Sequence, residues 1–143
     1  MKAISLNLSL DPASAVPLYA QVVEQIRSLV ATGGLAVGDR LPSVRDLAVA
    51  LRINRNTAAK AYQVLEGDGI LETRSGQGSF VAQLDCRWSH AERRRRLSAL
   101  LDRVLVEACH LGVSFSQVES LLARRMESFT RRPGRFSLPG NKG

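Results

Sequence analysis

Between residues 38 and 81 the chain reads GDRLPSVRDLAVALRINRNTAAKAYQVLEGDGILETRSGQGSFV: two short helical patterns separated by a tight turn, then two strand-like runs around a glycine-rich tip. Ser43 is suited to cap the first pattern, with Asp46 as an imperfect capping-box partner and Val44, Leu47, Ala48 and Leu51 as the buried stripe. Asn54 can cap the second. In it Ala58, Ala61, Tyr62 and Leu65 face a core, while Arg55, Asn56, Thr57, Ala59, Lys60 and Gln63 share the outer faces. Gly67 and Gly69 end this helix, and ILETR and SFVA around SGQG signal a short hairpin. Helix, turn, helix and hairpin in that order predict a winged helix-turn-helix.

The flanking segments extend this to a mainly α chain with one small β-hairpin. Upstream, Leu18, Val22, Ile26, Leu29 and Val30 recur at three and four, with Pro17 at the entrance and Gly33 and Gly34 as the stop. Downstream, after a junction near residues 83–89, Leu97, Leu101, Val104, Ala108 and Leu111 keep a rhythm close to the 3.5 period of a helix seam. Gly112 breaks that helix. Ser114 with Gln117 makes a capping box, Val113 and Val118 are placed as a hydrophobic staple, and Leu121, Leu122, Met126 and Phe129 form the next stripe. A helical hairpin of ~40 residues is too small to bury its apolar faces alone and needs a partner. The expected organisation is an N-terminal extension (1–16), a winged helix-turn-helix (17–82), a two-helix dimerisation appendage (83–129) and a tail (130–143) whose mixture of Arg, Pro and Gly shows no period.

Composition narrows the partner. A formal net charge of +7 on 143 residues favours a polyanion, and no uncharged apolar run approaches the ~18 residues a membrane span needs. The opening MKAISLNLSLDPAS does not read as a signal peptide, so a cytoplasmic location is expected. Cys86 and Cys109 lack CxxC spacing and fit free thiols. With two histidines and no acidic partner at ligand spacing, neither a metal nor another cofactor is expected. The charge is unevenly placed, because residues 1–82 carry eight Lys and Arg against seven acidic residues, leaving most of the excess C-terminal. Arg93, Arg94, Arg95 and Arg96 are consecutive, wrap around a helix and cannot form one face; solvent dressing is their plain reading, phosphate or acidic-partner contact the other.

In a winged helix-turn-helix one helix reaches base edges in a DNA major groove and the wing addresses the neighbouring minor groove. Arg45, two residues past the Ser43 cap, carries a planar fork that can take guanine O6 and N7 together; its alternatives are a solvated side chain or a pair with Asp46. Asn56, Thr57 and Lys60 fall on one face of the following helix, with Arg55 just before them. At the wing, Gly76 and Gly78 permit positive φ and place Ser75, Gly76 and Gln77 at the tip, with Arg74 as a phosphate neighbour. For Asn54 a pure capping role is preferred. Tyr19 and Tyr62 read as core residues with hydroxyls near the surface.

The stretch from Pro17 to Ala82, with GDRLPSxRxLA, NxTxxxAYxxLE and GxGxF, resembles the GntR family of bacterial transcription regulators. The piece containing EACHLGVSFSQVESLL resembles the two-helix appendage of the short YtrA subfamily, and the sixty or so residues after the wing exclude the larger effector domains of longer relatives. The resemblance implies that Arg45 reads a guanine, that Arg55 and Thr57 contact bases or phosphates, and that Asn56 and Lys60 join them. Three positions depart from the pattern: Ala58 for valine, Ser79 for threonine and Gly67 for a polar helix former, the last at a cost of ~1 kcal/mol if it loosens the helix end.

The expected function is therefore sequence-specific binding of double-stranded promoter DNA by a homodimeric transcription regulator, most simply a repressor on an inverted-repeat operator. Ser43, Arg45, Arg55, Asn56, Thr57, Lys60, Arg74, Ser75, Gly76 and Gln77 form the expected DNA-binding set, and Leu97, Leu101, Val104, Ala108, Leu111, Leu121 and Leu122 the dimer contact. Any small-molecule effector would be left a small pocket at the hairpin or dimer seam. A nonspecific nucleoid-associated or RNA-binding protein is the alternative, against which the outward Arg45, Arg55, Asn56 and Thr57 would be superfluous. No nucleophile–base–acid set and no GxxxxGK[ST] loop supports an enzyme.

Overall fold

The computed structural model describes residues 3–83 and 88–130, which form two compact units divided between Gln83 and Trp88. Cys86 and the tail beyond Thr130 lie outside the described residues, as does most of the expected junction. The first unit contains α1 (Leu18–Thr32), α2 (Val44–Leu51), α3 (Arg55–Gly67) and an antiparallel hairpin of β1 (Leu71–Arg74) and β2 (Gly78–Val81). The second contains α4 (His90–His110) and α5 (Phe115–Thr130).

The helix boundaries follow their caps. Ser43 Oγ accepts from the Asp46 amide at 3.0 Å and Asn54 Oδ1 from the Asn56 amide at 2.7 Å, each satisfying a donor that the first helical turn leaves without a partner. Gly33 adopts φ 79° after α1, a left-handed conformation that reverses the chain at little cost without a Cβ. Gly67 remains inside α3 as its last residue, so the expected loosening does not shorten the helix.

The core lies where α1, α2, α3 and the hairpin meet. Ala58, Ala61, Tyr62 and Leu65 of α3 are all buried, together with Val22, Val23, Ile26, Leu47, Leu71 and Val81. Tyr62 differs in one respect from the sequence expectation, because its hydroxyl is turned inward and donates to the Pro42 carbonyl at 2.6 Å. That bond fixes α3 to the residue preceding the α2 cap, and burial pushes the phenol pKa upward.

Two further attachments were not anticipated. The Gly38–Leu41 segment runs beside β2, with hydrogen bonds Gly38 N to Val81 O, Val81 N to Asp39 O and Leu41 N to Ser79 O, each at 2.9 Å. At the N-terminus, Ile4, Leu6, Leu8 and Leu10 pack on the core in strict alternation with exposed Ala3, Ser5, Asn7 and Ser9. The compact unit therefore takes in most of the N-terminal extension. Two glutamines hold it: Gln25 accepts from Ser9 N (2.8 Å) and donates to Ser9 O (2.6 Å), and Gln21 does the same for Asp11 at 2.8 and 2.9 Å. Four helical residues rise ~6.0 Å and two extended residues ~6.7 Å, so glutamines four apart match backbone groups two apart.

In the second unit the Ser114–Gln117 capping box forms in both directions, at 2.9 Å from Ser114 N to Gln117 Oε1 and 3.2 Å from Gln117 N to Ser114 Oγ. Ser89 caps α4 through the Glu92 amide. Glu92 receives Arg95 and Arg96, whose hydrogen bonds, Arg95 first, hold its carboxyl pKa down at about 2. Arg96 also stacks over Trp88 at 3.8 Å, and Arg93 donates to the Trp88 carbonyl. Three of the four consecutive arginines thus have partners near the start of their own helix.

Replacing Tyr62 with Phe removes the bond to Pro42 and is expected to cost ~0.5 to 1.5 kcal/mol near neutral pH. The native phenol stays protonated while the unfolded one ionises near pH 10, so Tyr62 favours folding below that pH and loses the advantage as pH rises further. Urea unfolding of both proteins at pH 7 and 10.5 should show the difference shrinking at the higher pH; a difference that grows would contradict the buried, neutral phenol.

Candidate nucleic-acid interface

The turn between α2 and α3 is built on Arg52, which takes φ 54°, ψ 46° and donates its amide to the last turn of α2. It is the one non-glycine residue with positive φ among the described residues. With Ile53 N bound to Ala48 O at 3.0 Å, the turn brings the start of α3 beside the exposed side of α2. Arg45, second residue of α2, and Arg55, first of α3, consequently line one open hollow of about 240 Å³ together with Ala48, Val49 and Ile53. Among the described residues neither guanidinium has an ion-pair or hydrogen-bonding partner, so the alternative pairing of Arg45 with Asp46 is not realised.

Asn56 is exposed next to Arg55, but Thr57 is half-buried and Lys60 leans away, its ammonium 4.1 Å from the centre of the Tyr19 ring on α1. Such an exposed cation–π contact contributes ~0.5 to 1 kcal/mol, enough to bias a lysine without fixing it. The expected single face of Asn56, Thr57 and Lys60 is thus uneven. Ser43 and Asn54 have their side chains engaged as caps.

At the wing the register pairs Arg74 with Gly78 across a three-residue tip of Ser75, Gly76 and Gln77, all exposed and closed by Gln77 N to Arg74 O at 2.9 Å. Gly76 has φ 72° and Gly78 φ 109°, both requiring the freedom of glycine. Arg74 is not a bare cation. Its Nε and a terminal nitrogen bind Glu72 Oε1 at 3.0 and 2.7 Å, and its guanidinium lies 4.2 Å over the Phe80 ring. Arg40, which the sequence reading did not single out, packs against Gly78: a Cβ there would stand 3.3 Å from Arg40 Nε. Val49 was likewise missed, although its place one turn after Arg45 marks it as a neighbour.

Two arginines at the helix-turn-helix, a glycine-tipped hairpin beside it and a core that leaves both open define a winged helix-turn-helix DNA-binding module. The model of the family described as bacterial regulatory proteins, gntR family, matches residues 18–81. The chain is 32% identical over 111 residues to the HTH-type transcriptional repressor YtrA of Bacillus subtilis (strain 168), covering 78% of this chain and 85% of that protein. Among solved structures, YtrA from Sulfolobus acidocaldarius, a GntR-family transcription factor, is similar with a TM-score of 0.56 and 32% identity over 69% of this chain and 97% of that one. A transcriptional antiterminator from Listeria monocytogenes EGD-e gives a TM-score of 0.75 and 26% identity over 94% and 98%. The chain belongs to the GntR family and is a YtrA-like DNA-binding transcription regulator. No helix of the described residues is long and apolar enough to cross a membrane.

The wing offers a local test. Gly76→Ala and Gly78→Ala both place a Cβ at a positive φ and should each cost ~1 to 3 kcal/mol, with Gly78→Ala the costlier because it also meets the Arg40 side chain while Gly76 has open space around it. Urea unfolding of the two variants measures this, and equal losses would show that the Arg40 contact does not constrain the hairpin.

Proposed function

We propose that the protein is a homodimeric repressor that binds an inverted-repeat operator, each winged helix-turn-helix (17–82) addressing one half-site. The observation carrying this reading is the convergence of Arg45 and Arg55, neither paired among the described residues, on one open hollow at the helix-turn-helix. A planar guanidinium without a protein partner can take guanine O6 and N7 together. Arg45 is assigned the base contact, Arg55, Asn56 and Thr57 further base or phosphate contacts, and Ser75, Gly76 and Gln77 the neighbouring minor groove. Ser43, Lys60 and Arg74 act at the margin, since their side chains already have partners. Repression as the sign of regulation is supported by the similarity to the Bacillus repressor.

The dimer contact is assigned to α4 and α5. Leu97, Leu101, Val104 and Leu111 are 42 to 68% exposed, and Leu121 and Leu122 are also open. Apolar area of this kind on so small a unit favours a second copy, which would cover it and match operator symmetry with protein symmetry. One member of the expected seam is withdrawn: Ala108 is already buried within a single chain, beside the turn where Val113 N donates to its carbonyl. The remaining leucines and valine still share a face, and the appendage of residues 83–129 keeps its proposed role.

Selection of bound sequences from a random DNA pool tests base reading directly. On the selected operator Arg45→Ala should lose ~1 to 3 kcal/mol relative to scrambled DNA at the same salt. Equal loss on both DNAs would reduce Arg45 to a phosphate contact, and a pool that yields no preferred sequence would favour charge-driven, nonspecific binding.

Leu101→Asp should dissociate the dimer, because a carboxylate in that contact would lose hydration without gaining a partner. Sedimentation should then give a monomer, with residual DNA binding at single half-sites. An intact dimer that binds the full repeat normally would move the contact elsewhere.

A further inference from the structure

Val49 is 73% exposed, the most open large hydrophobic side chain among the described residues. It has no task in the core, and a β-branched residue is a poorer helix former than many polar ones. Helix formation therefore does not account for it. It lies one turn beyond Arg45 on α2, and with Ala48 and Ile53 it gives an apolar lining to the hollow whose other lining residues are Arg45 and Arg55. A surface built for phosphates alone would gain nothing from an apolar patch between two cations.

DNA carries one apolar group on its major-groove base edges, the thymine 5-methyl, which distinguishes thymine from the bare C5 position of cytosine. We propose that the hollow holds a thymine methyl against Val49, so that Val49 selects thymine within about two base steps of the guanine read by Arg45. The two arginines supply charge complementarity to the flanking phosphates and guanine, and the four-residue rise from Arg45 to Val49, ~6 Å, is about the advance of two ~3.4 Å base steps. The inference rests on the base-reading role given to Arg45 above. Deoxyribose in the same hollow would be the sequence-blind occupant.

The experiment uses the full chain and the operator obtained by selection, with each thymine replaced singly by deoxyuridine, which removes the methyl and leaves base pairing unchanged. One thymine in a half-site should stand out, its replacement weakening wild-type binding about threefold to fourfold, the effect of one buried methyl-sized group. Val49→Ala should bind the thymine and uracil duplexes equally, and because the side chain is exposed and alanine is the better helix former the variant should be no less stable than wild type. If Val49→Ala weakens both duplexes while the thymine preference persists, the valine meets sugar and the proposal fails. A selected operator that needs Arg45 but is indifferent to every uracil replacement overturns this inference alone. Failure to select any operator overturns it together with the base-reading role.

Discussion

The first unit depends on how closely its neighbours can approach α3. Ala58 and Ala61 are fully buried and add almost no bulk, so α1 and α2 can pack near the α3 backbone while Tyr62 and Leu65 fill the space on either side. Dense packing leaves little room for alternative helix angles. The Tyr62–Pro42 hydrogen bond adds a directional constraint, because it ties the middle of α3 to the residue just before the α2 cap. At that angle the left-handed turn at Arg52 joins the two helices so that Arg45 and Arg55 line one hollow. Ala58 is thus compatible with the fold, since nothing larger is needed where the helices touch.

Placement of charge matters more here than its sum. The excess of basic residues lies after the wing, yet Arg95 and Arg96 are drawn to Glu92, Arg96 also stacks on Trp88, and Arg93 is bound to a carbonyl. Exposed pairs of this kind contribute little stability, but they orient cations along their own helix. In the first unit, where basic and acidic residues nearly balance, two guanidiniums without partners among the described residues are brought together. A polyanion would meet a small, ordered set of donors there. The net charge of +7 alone would not have singled out this half of the chain.

Much of this was legible in the sequence because helix signals are local. Ser43, Asn54 and the Ser114–Gln117 box set boundaries through bonds within one turn, and the three-four spacing of Ala58, Ala61, Tyr62 and Leu65 identified the buried face of α3. The N-terminal segment was missed although its period-two alternation from Ala3 to Leu10 was present, because its hydrogen-bonding partners are mainly glutamine side chains on α1. The alternation is itself a strand signal, but no neighbouring strand pattern in the sequence offers it a pairing partner. Within the candidate site, residue type and spacing located Arg45 and Arg55, but could not tell which cations would find partners inside the fold. Lys60 meets Tyr19 across forty-one positions and Arg74 meets Phe80 across a hairpin, contacts that exist only after packing. Ala108 misled for a similar reason, since a heptad-like position serves equally for contact within a chain or between chains.

The segment Gly38–Leu41 is bonded to β2 and then runs directly through Pro42 into the cap of α2. The reach from hairpin tip to helix-turn-helix is therefore set by main-chain hydrogen bonds, which replacement of a side chain by anything but proline leaves in place. A change of side chain at the wing tip or on the helix-turn-helix can therefore leave the distance between the two as it is.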